Sequence, residues 1–303
     1  MSLRRARLVL LLALSVAAAG LMSGCGTEQT AGLNVVSIGD SLALGVQPQL
    51  FGGDRATSQG YPRAIADVLR KQGRTVSLHE LGCGGATSGS VIDGSRPCAP
   101  KRHTPYRNED PLTSQLAYAE GLLSRLGGKP TVIVLDVGGN DVGSCLNGGA
   151  ISTTCIQKAG RNLRKNLGTI LTRLRAVAPT VPIAVLDLYD PFLGLWQDHP
   201  EGRTQLVKAH AVFLREVNAA IDQVSVAHGA VVGKLGDAMQ QSTPFAATQT
   251  AVPAAVTAVC RNTWMCVNAP LVPDIHLRGR GYRLAAQTML RALAPSLKRL
   301  GPA

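Results

Sequence analysis

Several features that would place the chain in a particular protein class are scarce or absent. Aromatic residues make up only 4% of the 303 residues, which disfavours the stacking surfaces that bind single-stranded nucleic acids. No CxxC pair occurs and no His lies at ligand spacing from a pair of Cys, so the common structural zinc sites are excluded. The glycine patterns GxGxxG and GxxxxGK[ST] are also missing, and with them the usual dinucleotide and phosphate loops.

The charge of the chain is strongly positive, at +12, from 31 Lys and Arg against 19 Asp and Glu. The basic residues are scattered rather than clustered. This distribution predicts a general attraction to anionic surfaces but no nucleic-acid partner. The hydrophobic content of 45% is that of an ordinary globular protein.

The first 24 residues are typical of an export signal. Three Arg precede an apolar run of 15 residues, Leu8 to Met22, which is too short for a comfortable membrane span of about 20 residues. The run ends in Ser23-Gly24-Cys25, which resembles a bacterial lipobox. We therefore expect residues 1–24 to be removed, Cys25 to carry lipid, and residues 25–33 to form a tether on the extracytoplasmic face of the membrane. The alternative is a plain signal peptide and a secreted protein.

Six Cys remain after Cys25, an even number in an exported and oxidising setting, which predicts disulfides. Six Cys allow 15 connectivities, so the sequence does not fix one. We favour the pairs that close short loops, and none of these Cys is expected to be catalytic. The favoured pairs are Cys83–Cys98, Cys145–Cys155 and Cys260–Cys266.

Short apolar runs alternate with amphipathic stretches after residue 33, with no internal repeat or linker, which indicates one domain over residues 34–303. Because the runs are apolar throughout, they predict strands buried on both faces of a parallel sheet, and hence a three-layer α/β domain. The predicted strands are Asn34–Ile38, Thr75–Leu81, Thr131–Val137, Pro182–Leu188 and Ala230–Leu235. The predicted helices are about Tyr61–Gln72, Thr113–Leu126, Gln157–Val177, Arg203–Ala227 and Arg280–Leu300. Two segments are predicted to be irregular, Cys83–Pro111 and Asp237–Pro273.

Polar and glycine-rich segments follow the first three strands. They are Gly39-Asp40-Ser41-Leu42, Gly82-Cys83-Gly84-Gly85 and Gly138-Gly139-Asn140-Asp141, and Asp274-Ile275-His276 comes just before the last helix. Because the carboxyl ends of parallel strands meet at one edge, these segments converge there. A nucleophile, a base and oxyanion donors are what a Ser-His hydrolase needs. The other five His are expected to be structural or surface residues.

The ordered set of GDSL, a glycine-rich second loop, GGND and a late DxH resembles the SGNH or GDSL-type esterase/lipase family over about residues 34 to 300. The likeness is strongest to secreted actinobacterial members with three disulfides. It implies a flavodoxin-like α/β/α fold with a five-stranded parallel sheet, Ser41 as nucleophile and His276 as general base. It also implies that the oxyanion donors are the backbone N–H groups of Ser41 and Gly85 and the amide of Asn140. Ser41 is not in GxSxG, so the nucleophile elbow of α/β-hydrolases is absent.

One departure from the family pattern leaves the partner of His276 open. The family motif is DxxH, but position 273 is Pro273, and the nearest carboxylate is Asp274, two residues before the His. Either the Asp274 carboxylate or the Pro273 backbone carbonyl could orient the imidazole. We favour Asp274, since a carboxylate so near the base would otherwise need another role.

The sequence thus predicts a lipid-anchored serine esterase or lipase that hydrolyses carboxylic esters, either acyl lipids or acetylated carbohydrates, through an acyl-Ser41 intermediate. It is expected to need no metal or organic cofactor and to work as a monomer. The alternative is a non-catalytic lipoprotein that uses the same fold to bind envelope glycan or lipid.

Overall fold

A five-stranded parallel sheet forms the centre of the protein. The computed structural model describes residues 32–95, 114–147 and 150–301. The strands are β1 (Leu33–Ile38), β2 (Val76–Glu80), β3 (Thr131–Asp136), β4 (Ile183–Leu186) and β5 (Val231–Gly233). Their order is β2-β1-β3-β4-β5, which is the doubly wound flavodoxin-like order. The predicted α/β fold with a five-stranded parallel sheet is confirmed.

Side chains of the central strands feed two separate cores, one on each face of the sheet. In β1, Val36 and Ile38 point into one core, and Leu33 and Val35 into the other. This alternation is the period of two of any strand. Because both faces are covered, the strands read as continuous apolar runs, which is why they could be located from sequence.

Helices from the middle of the chain cover the larger core. The longest of them, α5 (Thr153–Val177), has a buried Leu or Ile every three to four residues, as in an amphipathic helix lying on a sheet. The helices on this face are α2 (Ser88–Asp93), α3 (Gln115–Leu126), α4 (Gly139–Gly143), α5 (Thr153–Val177), α6 (Arg203–Phe213) and α7 (Ala219–Ala227).

The opposite face is covered by α1 (Tyr61–Lys71) and by the last helix, α10 (Gly279–Arg299). Tyr61 and Tyr282 are fully buried here. The short helix α8 (Leu235–Ala238) contributes Leu235 to this core. The three layers of helix, sheet and helix are therefore complete.

The segment predicted as one helix over Arg203–Ala227 is interrupted by a π-helical turn, Leu214–Asn218. This turn places Asn218 so that its amide pairs with both the N–H and the C=O of Leu188, at 3.1 and 2.8 Å. A single wide turn inside a helix commonly serves to place one side chain. Here it fixes the chain just after β4.

The two segments predicted to be irregular contain regular structure. In the second segment, the helix α9 (Ala254–Asn262) follows Pro253, and the short strand Thr263–Trp264 pairs antiparallel with the strand Asp274–Leu277. The first segment contains α2, and its residues 96–111 lie outside the described part of the chain. A small hairpin also pairs Gln47–Pro48 with Asp54–Arg55, and another pairs Leu146–Asn147 with Ala150–Ile151.

Two predicted disulfides, Cys145–Cys155 and Cys260–Cys266, are present in the structure. The first ties the end of α4 to the start of α5, and the second ties α9 to the residues after the short strand Thr263–Trp264. The predicted pair Cys83–Cys98 includes Cys98, which lies outside the described residues. The predicted signal, Cys25 and nearly all of the tether also lie outside them. In the described part of the chain, no helix is both long and apolar enough to cross a membrane.

Candidate active site

The candidate site lies at the carboxyl ends of β1 and β3, where the strand order reverses. Ligands of doubly wound sheets bind at this switch point. Ser41 follows β1 and Asn140 follows β3. Both side chains line one pocket with His276. The structure thus brings together three residues that are 99 and 136 positions apart along the chain.

Asp40 connects the two loops of the switch point. Its Oδ1 accepts the N–H of Leu42 at 2.9 Å and lies 3.5 Å from Oγ of Ser41. Its Oδ2 accepts the side-chain amide of Asn140 at 3.0 Å. One carboxylate therefore fixes both the turn that carries Ser41 and the amide predicted to bind the oxyanion.

A second carboxylate, Asp136, lies directly beneath the turn at the end of β3 and is fully buried. Its Oδ2 accepts the backbone N–H of Asp40 at 3.0 Å, and its Oδ1 accepts the Tyr61 hydroxyl at 2.7 Å. A Cβ at Gly39 would lie 1.9 Å from Oδ1 of Asp136. Glycine is therefore required at position 39 for the turn to approach this carboxylate.

Burial raises the pKa of both Asp40 and Asp136, and the nearby charge of Asp136 raises the pKa of Asp40 further. The hydrogen bonds that Asp136 accepts from Tyr61 and from the backbone of Asp40 lower the pKa of Asp136 but only partly offset the effect of burial. Burial and the charge of Asp136 also raise the pKa of Tyr61, which keeps its hydroxyl protonated as a donor. Sequence reasoning missed Asp136 and Tyr61 as parts of the site. The available signal was an Asp that ends an otherwise apolar strand.

Asn140 lies in the first turn of α4, and both hydrogens of its side-chain amide are donated. One goes to Asp40, as described, and the other to the backbone carbonyl of Ala86 at 2.9 Å. The preceding Gly138 has φ of +114°, and a Cβ there would lie 2.8 Å from a methyl of Leu163. Glycine at 138 therefore allows the tight turn that points the amide inward.

Gly85 lies in the turn after β2, with φ of +77°. This left-handed conformation favours glycine. The next residue, Ala86, is the one whose carbonyl accepts the amide of Asn140. The turn that holds Gly85 is therefore in direct contact with the loop that holds Asn140.

His276 is buried in the short strand that precedes α10, and its ring is held by Asp274. Nδ1 of His276 lies 2.7 Å from Oδ1 of Asp274, and the same oxygen accepts the backbone N–H of His276 at 2.7 Å. A carboxylate at Nδ1 places the proton there and leaves Nε2 as the free acceptor. Burial raises the pKa of Asp274, but the hydrogen bonds and charge of His276 more than offset this and hold the pKa below its usual value.

Another carboxylate, Asp54 of the hairpin that pairs Gln47–Pro48 with Asp54–Arg55, lies 4.0 Å from Nδ1 of His276. Ligand atoms of Asp54, Asp274 and His276 all lie within 4.8 Å of one another, as in a three-residue metal site. A metal at Nδ1 would have to displace the proton that Asp274 already accepts. We therefore interpret the contact between Asp274 and His276 as one that orients the imidazole rather than as part of a metal site.

The pocket is small and mostly apolar, with a volume of about 50 Å³. Its polar wall is formed by Ser41, Asn140 and His276. Its other wall comes from α4, from the chain after β4 and from α6, and consists of Val142, Leu188, Pro191, Phe192 and Phe213. An apolar wall opposite a polar one suits a substrate with a reactive polar centre and a hydrocarbon group.

Two solved structures share this fold at low sequence identity. The lipase Lip_vut3 from a goat rumen metagenome is 16% identical with a TM-score of 0.53, and the alignment covers 89% of this chain and 98% of that one. A protein from Parabacteroides merdae described as a GDSL-like lipase is 13% identical with a TM-score of 0.51, over 88% and 96% of the two chains. No curated protein matches the chain significantly.

The family model of the GDSL-like lipase/acylhydrolase family matches residues 37–284. This range begins within β1, just before Ser41, and ends within α10, just after His276. The match therefore includes all three polar residues of the pocket and spans most of the chain. The chain belongs to the GDSL-like lipase/acylhydrolase family, and it is a carboxylic ester hydrolase.

Proposed function

We propose that the protein is a serine esterase in which Ser41 forms an acyl-enzyme. The observation that carries this proposal is the shared pocket of Ser41, Asn140 and His276, with Asp274 on Nδ1 of the imidazole. A nucleophile, a base and a group that orients the base are the three parts of nucleophilic acyl transfer.

In the first half-reaction, Nε2 of His276 takes the proton of Ser41 as Oγ attacks the ester carbonyl. The tetrahedral intermediate collapses as the imidazolium gives its proton to the leaving alcohol. In the second half-reaction, water attacks the acyl-Ser41 ester by the same route, and the carboxylic acid leaves. Over the cycle, one ester and one water are consumed, one alcohol and one carboxylic acid are released, and Ser41 and His276 return to their starting protonation states.

The oxyanion would be bound by the N–H groups of Ser41 and Gly85 and by the amide of Asn140. Because both amide hydrogens of Asn140 are donated in the free protein, one of these bonds must be exchanged for the oxyanion. The partner that stays bound keeps the amide of Asn140 in place while its other hydrogen turns to the oxyanion, which limits the reorganisation needed during the reaction.

The imidazole is oriented, in this proposal, by Asp274 rather than by the Pro273 carbonyl. The 2.7 Å contact between Nδ1 and the carboxylate supports it. Asp274 lies two residues before His276, and its Oδ1 contacts both Nδ1 of the His276 ring and the backbone N–H of His276. A carboxylate also stabilises the imidazolium by charge, which a carbonyl does only weakly.

The size of the pocket supports a short acyl group as the preferred substrate. Its volume of about 50 Å³ is small beside the roughly 300–1,000 Å³ of pockets that enclose drug-sized ligands. An acetyl or similarly short acyl group fits inside such a pocket, whereas a long acyl chain would extend out of the pocket mouth.

A panel of p-nitrophenyl esters from acetate to palmitate tests this proposal. We expect the highest kcat/KM with short chains, and no activity above background for Ser41→Ala. Phe192→Ala removes a ring from the apolar wall and so enlarges the pocket, which should shift the preference to longer acyl chains. Phe245→Ala is the control, because Phe245 packs on Trp196 and His210 and is not part of the pocket wall. Equal activity of Ser41→Ala and wild type would reject the mechanism.

We also propose that the mature protein is a monomer anchored by lipid at Cys25 on the extracytoplasmic face of the membrane. The sequence Ser23-Gly24-Cys25 at the end of a short apolar run supports this. Metabolic labelling with a palmitate analogue should tag the wild type but not Cys25→Ala. Equal labelling of both would reject the anchor and favour secretion.

A further inference from the structure

Exposed apolar side chains are concentrated beside the mouth of the active site. Seven large hydrophobic residues are exposed in the described part of the chain. Two of them lie at the tip of a hairpin whose base contacts the strand of His276, and two lie within four residues of His276 along the chain; we call these four the apolar rim. The rim consists of Leu50, Phe51, Val272 and Ile275, exposed by 61%, 88%, 61% and 40%.

Leu50 and Phe51 form the tip of the hairpin that pairs Gln47–Pro48 with Asp54–Arg55. The base of this hairpin is fixed to the site. The Gln47 amide donates to the carbonyl of Leu277 at 2.6 Å and accepts from the indole of Trp264 at 3.0 Å. The tip therefore projects from a base held against the strand that carries His276.

Phe51 departs from ordinary folding preferences in two ways at once. It is the most exposed large apolar residue in the described chain, and its φ of +67° is in the left-handed region, which bulky residues rarely adopt. Neither property stabilises the folded protein. Residues that cost stability at the edge of an active site are commonly retained for function.

Cations outnumber the one exposed carboxylate, Asp54, on the hairpin and at the start of α10. Arg55 on the hairpin and Arg280 at the start of α10 are exposed, and the guanidinium of Arg278 lies 4.5 Å over the ring of Trp264. The chain carries +12, or 12 − 3 = +9 without Arg4, Arg5 and Arg7 of the export signal. Apolar side chains that insert, together with cations that attract headgroups, are the two components of interfacial lipid binding.

We propose that the apolar rim docks the protein on an acyl-lipid surface, with the Leu50–Phe51 tip inserted among the acyl chains and the mouth of the pocket facing the lipid. This deepens the proposed esterase function and rests on it for the identity of the substrate. It places ester carbonyls of the surface next to Ser41, and an acyl chain longer than the pocket would remain in the lipid.

The test is binding to vesicles of equimolar phosphatidylcholine and phosphatidylglycerol, measured by co-sedimentation, with the chain from residue 26 onward, so that neither the apolar run Leu8 to Met22 nor a lipid at Cys25 contributes. We expect the partition coefficient of the double variant Leu50→Ser/Phe51→Ser to fall about tenfold or more. Hydrolysis of p-nitrophenyl acetate in solution should stay within about twofold of the parent. The matched control is Val226→Ser, which removes a 71% exposed apolar side chain from α7 and should bind like the parent.

A second variant separates docking from folding. Phe51→Gly relieves the left-handed backbone, so its Tm should equal or exceed that of the parent while vesicle binding falls. Equal partition of the parent and the double variant would overturn the proposal. A raised KM for a soluble long-chain ester without any change in vesicle binding would overturn it too, in favour of contact with the substrate chain. Loss of activity in Ser41→Ala with vesicle binding intact is expected, so the docking and the esterase mechanism can fail separately.

Discussion

Asp274 accepts both the Nδ1 proton and the backbone N–H of His276 through a single oxygen, Oδ1, at 2.7 Å each. In the proposed mechanism, this carboxylate, two residues before the imidazole, takes the place of the carboxylate three residues before it in the DxxH pattern. The hydrogen bond from the backbone N–H of His276 to Oδ1 of Asp274 makes a tight turn, and this turn brings the imidazole within reach of the carboxylate despite the shorter spacing.

Replacing Asp274 by Asn should lower kcat by several orders of magnitude, about 10⁴, because the amide no longer selects the tautomer with a free Nε2. His276→Ala should be equally inactive. Kinetics on p-nitrophenyl acetate, with circular dichroism as the check on folding, would measure both. If Asp274→Asn stays within about tenfold of wild type while His276→Ala is dead, the imidazole is oriented by the chain at Pro273.

Asn140→Ala should reduce kcat by about 10²–10³ with an intact fold, since it removes one oxyanion donor. The variant also frees the Ala86 carbonyl and Oδ2 of Asp40 from their donor, and water can replace it because the pocket is open to Asp40. A matched measurement is Asn166→Ala, which removes an amide that donates to Ser88 Oγ and has no place in the pocket wall. Equal losses in the two variants would show that the effect is structural.

The buried pair of Asp40 and Asp136 should make the protein less stable as the pH rises. Both carboxyls have raised pKa values in the folded state, so between about pH 4 and those values the folded chain binds more protons than the unfolded chain. The free energy of unfolding therefore falls over that window and levels off above it. Asp136→Asn removes one titrating group, and its stability should fall less from acid to neutral pH in denaturant titrations. Asp67→Asn, at an exposed carboxylate on α1, should follow the wild type, and identical curves for all three proteins would contradict the account.

His210 should also make the protein less stable as the pH rises, in this case because a buried cation loses its proton. Its ring bonds Asp190 at 3.0 Å and the Gln241 carbonyl at 2.9 Å. Burial lowers the pKa of His210, but the hydrogen bond and charge of Asp190 outweigh burial and raise it overall. The stabilisation is therefore complete below about pH 6.5 and is lost as the pH rises through the folded-state pKa.

His210→Gln should cost about 3–5 kcal/mol at low pH, because it leaves the buried Asp190 without its partner. The cost should shrink at alkaline pH, where the wild type has lost the charged pair. His199→Gln, at a half-exposed His beside Glu201, provides the control. A loss for His210→Gln that does not vary with pH would rule out the charged pair.

The sheet could be predicted from sequence because its strands are buried on both faces and read as uninterrupted apolar runs. The ends of the observed strands lie within two residues of the predicted ends. The convergence of Ser41 and Asn140 followed from strand direction, whereas His276, which follows none of the predicted strands, was added from its place before the last helix and from the family resemblance. Such inferences need no knowledge of side-chain packing.

What could not be predicted depends on contacts between distant residues. Asp136 meets Asp40 across 96 positions and Tyr61 across 75, and no local pattern marks these pairs. The helix Ala254–Asn262 was missed within a segment rich in Ala, Gln and Thr, although Pro253 at its start is a helix-start signal. The exposure of Phe51 likewise depends on how the hairpin packs, which the sequence does not reveal.

Covalent labelling with a fluorophosphonate, read by mass spectrometry of the intact protein and of its peptides, shows whether Ser41 is the nucleophile. We expect a single stoichiometric adduct on the peptide that contains Ser41, loss of esterase activity in step with labelling, and much slower labelling of His276→Ala. An unlabelled Ser41 in an active, folded enzyme, or an adduct on another residue that abolishes activity, would contradict the proposed role of Ser41.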